Sequence, residues 1–255
     1  MNKKVRILFL SANPWTTSRI LVDEEAREIF ERIQEGPYRD NFELYKHTAT
    51  RPIDLQRLLL MYQPHIVHFS GHGSKRQKII LGGAPGRGKT LDIKGLVDVF
   101  ALYNHHLRLV LLNACFTKIQ ARSIAGVIDY AVGTGNGIGD KGGVAFAGAF
   151  YRALGFGKSI RAAFESAKAE LCLTKMPRTQ GIELFVREGV SEKHPFTYID
   201  PHLGVVHTKL VKLTEERSEI TVFRPSGIRT SKRIRSEVTI YPSASGRLSL
   251  TRRME

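Results

Sequence analysis

Short apolar runs alternate with helical periodicities along the first 190 residues. Residues 5–10 are a β-branched and apolar run that predicts a buried strand. Val22, Ala26, Ile29, Phe30 and Ile33 then recur at helical spacing, and Gly36 and Pro37 stop that helix. Residues 42–46 alternate as a strand, 54–62 predict a short helix ended before Pro64, and 65–69 predict a third strand. A brief strand at 78–81 sits inside a Gly-rich excursion. Ile93, Leu96, Val97 and Phe100 mark another helix. Residues 109–112 are continuously apolar, as expected of a central parallel strand. A helix at 117–125 and a strand at 130–132 follow. Two helices then carry Ala147, Phe150, Tyr151 and Leu154, and Ile160, Ala163, Phe164, Ala167 and Leu171. A strand at 182–186 closes the series. Such alternation implies an α/β domain, a parallel sheet covered on both faces.

After Gly189 the pattern changes. Residues 205–213, 220–223, 237–241 and 247–250 read as short strands joined by Pro, Ser and Gly turns, without helical period. The expected organisation is one domain over 1–190 and a small β-rich extension or tail over 191–255.

Composition narrows the classes. A hydrophobic fraction of 42% over 255 residues supports a real core. No apolar run approaches the ~18 residues that span a bilayer, and residues 7–10 are too short for a signal-peptide core. Two cysteines, Cys115 and Cys172, exclude a disulfide scaffold. The expectation is a cytoplasmic protein with reduced thiols. The net charge of +15 raises the question of an anionic partner. Its densest part is residues 221–255, with eight Arg/Lys against two Glu. That tail has no recognised nucleic-acid module and few aromatics for stacking, so nucleic acid is a poor candidate partner. It reads as a solvated surface, a dock for an acidic partner, or an inhibitory or processing segment.

In open parallel sheets, function gathers past the C-terminal ends of strands. The third strand runs into Ser70, Gly71, His72 and Gly73, and the 109–112 strand into Asn113, Ala114 and Cys115. If those strands are neighbours, a thiol and an imidazole face each other across a cleft. An adjacent imidazole can take the thiol proton during attack. Gly73 and Cys115 N–H could form an oxyanion hole. The plainer alternative is a small buried cysteine and a turn histidine.

The chain resembles the CHAT-type caspase-like peptidases of bacteria, within the caspase–separase–gingipain group of cysteine peptidases. The resemblance is carried by ILFLSANP at 7–14, DEEAREI at 23–29, PHIVHFSGHG at 64–73, LLNACFT at 111–117, and Asp140 followed by Ala145, Phe146, Ala147 and FYRAL at 150–154. It covers roughly residues 5–190. It implies a caspase-like, mostly parallel sheet of about six strands flanked by helices, and endopeptidase activity on a protein or peptide substrate. His72 would be the general base and Cys115 the nucleophile, with no cofactor. Regulated activation, through a partner or proteolytic processing of a zymogen, and a setting in bacterial antiviral defence or regulated cell death are further implications. Asp140 stands where relatives carry an acid near the substrate pocket, which would favour Arg or Lys at the cleaved position. Its local alternative is to cap the following helix. Asn13 and Trp15, past the first strand, are candidate substrate-binding residues, although Trp15 is equally a rim hydrophobe.

The competing class is a non-catalytic caspase-like interaction module. A third arises from GAPGRGKT at 83–90, which matches the P-loop pattern letter by letter. That motif needs a helix N-terminus directly after it and an acid at a strand end, where this chain has Asn113. No Cys/His/Asp/Glu set has structural zinc spacing, so no metal is expected. Cys172 is expected to pack in the core.

Overall fold

A computed structural model of the chain describes residues 4–14, 20–74, 78–82, 88–137, 139–176 and 181–190, and the backbone of six short strands between 198 and 251. Buried apolar runs become strands and amphipathic stretches become helices in this order: β1 (Val5–Ser11), α1 (Val22–Gln34), β2 (Phe42–His47), α2 (Pro52–Tyr62), β3 (Ile66–Ser70), β4 (His72–Ser74), β5 (Lys78–Gly82), β6 (Gly88–Thr90), α3 (Ile93–Ala101), β7 (Leu109–Asn113), α4 (Lys118–Ile124), β8 (Tyr130–Thr134), α5 (Asp140–Gly155), α6 (Ile160–Leu173) and β9 (Ile182–Val186).

The main sheet has the order β2-β1-β3-β7-β8-β9. All neighbours are parallel except β8 and β9. Strands β3, β7 and β8 are buried along their whole length, as a sheet covered on both faces requires. One face packs Leu8, Leu10, Val67, Phe69, Val110 and Leu112 against apolar side chains of α2, α3 and α4. On the other face α1 packs on α5 and α5 on α6, and Phe9 stacks on His68, whose ring meets Tyr151 of α5.

Between β3 and α3 the chain makes a separate antiparallel sheet, β4-β5-β6. The P-loop lookalike falls here. Residues 83–87 lie outside the described residues, and Gly88, Lys89 and Thr90 form β6 paired with β5. The next helix begins only at Ile93, capped by Asp92, which accepts from the Gly95 N–H at 3.2 Å. A strand in that position does not converge its N–H groups on a phosphate, so the P-loop reading fails on geometry.

Residues 4–196 form one unit, and 197–255 fall in another. The second contains three antiparallel pairs: β10 (Tyr198–Asp200) with β11 (Gly204–Val206), β12 (Glu219–Phe223) with β13 (Arg229–Arg233), and β14 (Thr239–Pro242) with β15 (Leu248–Thr251). The expected strand at 205–213 meets β11 at its first two residues, and 207–213 lie outside the described residues; β10 and β13 were not anticipated. Cys172 corrects another expectation: it is exposed. Leu171 takes the buried position of α6, and one further residue turns about 100° off that face. Among the described residues no helix is long and apolar enough to cross a membrane.

Candidate active site

Strands β3 and β7 are parallel neighbours, and Ser70 is the register partner of Asn113. The Gly71 N–H still donates to the Asn113 carbonyl at 3.3 Å, but past this point both chains leave the sheet. His72 lies two residues beyond Ser70 and Cys115 two beyond Asn113. The two departing segments abut. A Cβ built on Gly73 would fall 1.6 Å from the Cys115 carbonyl oxygen and 3.2 Å from the Cys115 nitrogen. Only glycine permits that approach. His72 and Cys115 are both half-buried, and both line one cleft of about 160 Å³.

The turn carrying Cys115 is held from several sides. Phe116 adopts a left-handed backbone, φ 58°, which costs a non-glycine residue roughly 1–2 kcal/mol. It persists because neighbouring bonds over-determine it. The Ala114 carbonyl accepts from the hydroxyls of Thr117 and Thr134, both at 2.9 Å. The Thr134 N–H in turn donates to Thr117 Oγ1 at 3.1 Å. On the β8 side, a Cβ on Gly137 would lie 3.7 Å from Cys115 Sγ, an ordinary van der Waals contact, so that position faces the thiol with room for no more than a methyl group's approach.

Asp140 is exposed and lines the cleft from the first turn of α5. It does not cap that helix: Gly139 is the N-cap, without a side-chain bond, and Asp140 is the first helical residue. Asn13 is half-buried and donates from Nδ2 to the Ile20 carbonyl at 3.4 Å. It joins the two ends of the segment that contains Trp15, and Ile20 itself lines the cleft. Trp15 lies outside the described residues.

The structure adds a group that the sequence reading did not single out. Glu25 of α1 lines the cleft floor, yet is only 4% exposed. Its Oε1 accepts from His68 Nε2 at 2.6 Å and from Asn113 Nδ2, and its Oε2 from Ser70 Oγ at 2.5 Å. A carboxylate only accepts, so the His68 Nε2 carries hydrogen, and the other ring nitrogen, Nδ1, is hydrogen-bonded with the Tyr151 hydroxyl at 3.2 Å. Burial, and secondarily the Glu25 charge, push the Tyr151 phenol well above its ordinary range. A Cβ on Gly143 of α5 would lie 2.8 Å from Asn113 Nδ2, so the helix seats directly on the amide. One signal for Glu25 was available. It shares the buried face of α1 with Val22, Ala26, Ile29 and Ile33, an acid in an apolar phase.

Comparison with known proteins agrees with this architecture. The CHAT domain family profile matches residues 13–202. The chain is similar to a Roc-COR-CHAT protease from an unknown prokaryotic organism, 26% identical over 179 residues, covering 68% of this chain and 17% of that protein. It is also similar to a probable protease of Gillisia limnaea, 25% identical over 130 residues, covering 50% of this chain and 23% of that one. The chain thus spans less than a quarter of either relative. Its fold resembles a secreted C11 cysteine protease from Bacteroides thetaiotaomicron, solved with an irreversible peptide inhibitor, at TM-score 0.50 and 14% identity over 74% of this chain and 62% of that one.

Proposed function

The chain belongs to the CHAT domain family, and we propose that it is a cysteine endopeptidase with Cys115 as nucleophile and His72 as general base. The observation that carries this reading is the meeting of two strand ends, with the backbone of Gly73 built against that of Cys115 beside a cleft that both side chains line. His72 takes the Cys115 proton as the sulfur attacks the scissile carbonyl carbon. The oxyanion that forms is met by the N–H groups of Gly73 and Cys115. Collapse expels the amine, which leaves with the proton from His72, and a thioester remains. Water, deprotonated by His72, then cleaves the thioester and regenerates the thiol.

Asp140 on the rim favours a cationic side chain at the cleaved position through direct charge pairing. Asn13 acts one step back, by holding Ile20 on the cleft wall. Regulated activation, by a partner or by proteolytic processing, suits a chain whose matched part makes up less than a quarter of either relative, and a role in bacterial defence or regulated cell death follows from the family resemblance.

The test is cleavage of a peptide library with basic, acidic and apolar residues at the cleaved position. Wild type, intact and proteolytically nicked, is compared with Cys115→Ala, His72→Ala and Asp140→Asn. Both alanine variants are expected to lose cleavage, and Asp140→Asn to lose its preference for Arg and Lys. A wild type that cleaves nothing beyond its Cys115→Ala variant leaves a non-catalytic interaction module as the better reading.

A further inference from the structure

We propose that Glu25 is a positioning residue: its buried carboxylate clamps the last register pair of β3 and β7 and so sets the separation of His72 from Cys115. Beyond the Ser70–Asn113 pair, the backbone bonds between these strands end with the Gly71 N–H on the Asn113 carbonyl, so the β3–β7 ladder does not reach His72 or Cys115. Glu25 takes one side-chain donor from each member of that pair, Ser70 Oγ and Asn113 Nδ2, and a third from His68 one pleat earlier. Each donor at the pair stands two residues before a reactive side chain. The acceptor comes from a third element, α1, and α5 closes the cluster from two points, Gly143 against Asn113 and the Tyr151 hydroxyl on His68.

Charge-assisted bonds in a buried site are directional and short, which suits them to holding a spacing. A buried carboxylate left without donors is costly, so this one is stable only where all three donors are present. The strand ends and the acid therefore specify each other. Beyond clamping them, Glu25 has no step in the chemistry, because its oxygens are already committed to His68, Ser70 and Asn113.

The inference rests on the peptidase reading only for its activity readout, so a second readout is used that needs no substrate. In a Cys172→Ser background, which removes the exposed second thiol, the alkylation rate of Cys115 by iodoacetamide is measured alongside kcat and KM. Glutamine can keep all three contacts, with its oxygen toward His68 and Asn113 and its amide toward a rotated Ser70 hydroxyl. Glu25→Ala is therefore expected to lower kcat by about 10²-fold with KM little changed, equally for basic and apolar cleaved residues, and to slow alkylation. Glu25→Gln should recover to within about tenfold of wild type on both readouts. If Glu25→Ala does not fold, Ser70→Ala/Asn113→Ala takes its place with the same expectation.

A loss in Glu25→Gln as large as in Glu25→Ala, or one confined to cationic substrates, makes Glu25 a charge-based specificity group and overturns the clamp. Unchanged alkylation in Glu25→Ala overturns it as well. If wild type cleaves no peptide while alkylation still slows in Glu25→Ala and recovers in Glu25→Gln, the clamp stands and the peptidase reading falls.

Discussion

Replacing Gly73 with alanine puts a methyl carbon 1.6 Å from the Cys115 carbonyl oxygen. Contact between such atoms is comfortable near ~3.5 Å, so the two backbones must part by roughly 2 Å. The side that yields can be read from the bonds. The Cys115 turn is pinned through Ala114 by Thr117 and Thr134 and follows a wholly buried strand. Strand β4 is three residues long and half-buried, in a sheet of its own. It therefore moves, and takes His72 with it. A 1 Å misplacement of a reacting group can cost about 10²-fold, and a lost oxyanion donor about 10²–10³-fold. These effects overlap rather than add, so kcat is expected to fall by about 10³-fold, or about 4 kcal/mol of barrier. The assay is kcat and KM on the best library peptide, with a melting curve beside it. Gly95→Ala is the control: nothing lies within 4 Å of a Cβ there, and it sits in α3. It should keep full activity and gain roughly 0.5–1 kcal/mol of stability. A Gly73→Ala protein within tenfold of wild type would refute the juxtaposition of the two segments and, with it, the oxyanion assignment.

Two further outcomes probe the scaffold. A Cβ on Gly36 would fall 2.2 Å from the Gly155 carbonyl oxygen, backbone on backbone where the ends of α1 and α5 meet, so Gly36→Ala should cost about 1–3 kcal/mol and lower the melting temperature by several degrees. The Arg51 guanidinium, hydrogen-bonded to Asp54 at the start of α2, holds that carboxyl down to about 2. Because the folded value is depressed, its stabilisation is complete above the unfolded value near ~4 and fades as pH falls toward 2. Titration by NMR should find Asp54 near 2 in wild type, rising toward ~4 in Arg51→Ala with a flatter stability profile between those values.

How much of this was legible in the residues depends on how local the determining physics is. Apolar runs such as 109–112 announce buried strands because both faces must be covered, and His72 and Cys115 stand out because reactive side chains follow those runs directly. The strand order is different. Fully apolar strands can pair with any neighbour, so nothing in β1, β3 or β7 alone says that β3 sits between the other two. Asp140 turned on a single residue of helix start: had α5 begun one position later, the side chain would have been the N-cap instead of a cleft residue. Cys172 turned on a similar step, one residue past Leu171. Glu25 was hidden by its type, since an acid on a helix ordinarily marks the wet face. Only its phase among Val22, Ala26 and Ile29 betrays it, and its donors come from strands 43, 45 and 88 residues away.

The central seats of β3 and β7 also have a consequence in time. Amide protons exchange with solvent only when their hydrogen bonds open, and strands flanked on both sides open last, at or near global unfolding. Residues 66–70 and 109–113 should thus be among the slowest-exchanging stretches of the molecule. The proposed nucleophile Cys115 directly follows the part of the protein that breathes least, whereas the proposed base His72 lies in β4, which belongs to a small separate sheet. The two halves of the proposed dyad thus stand on stretches of unequal stability, and on the His72 side the boundary between them runs through Gly71.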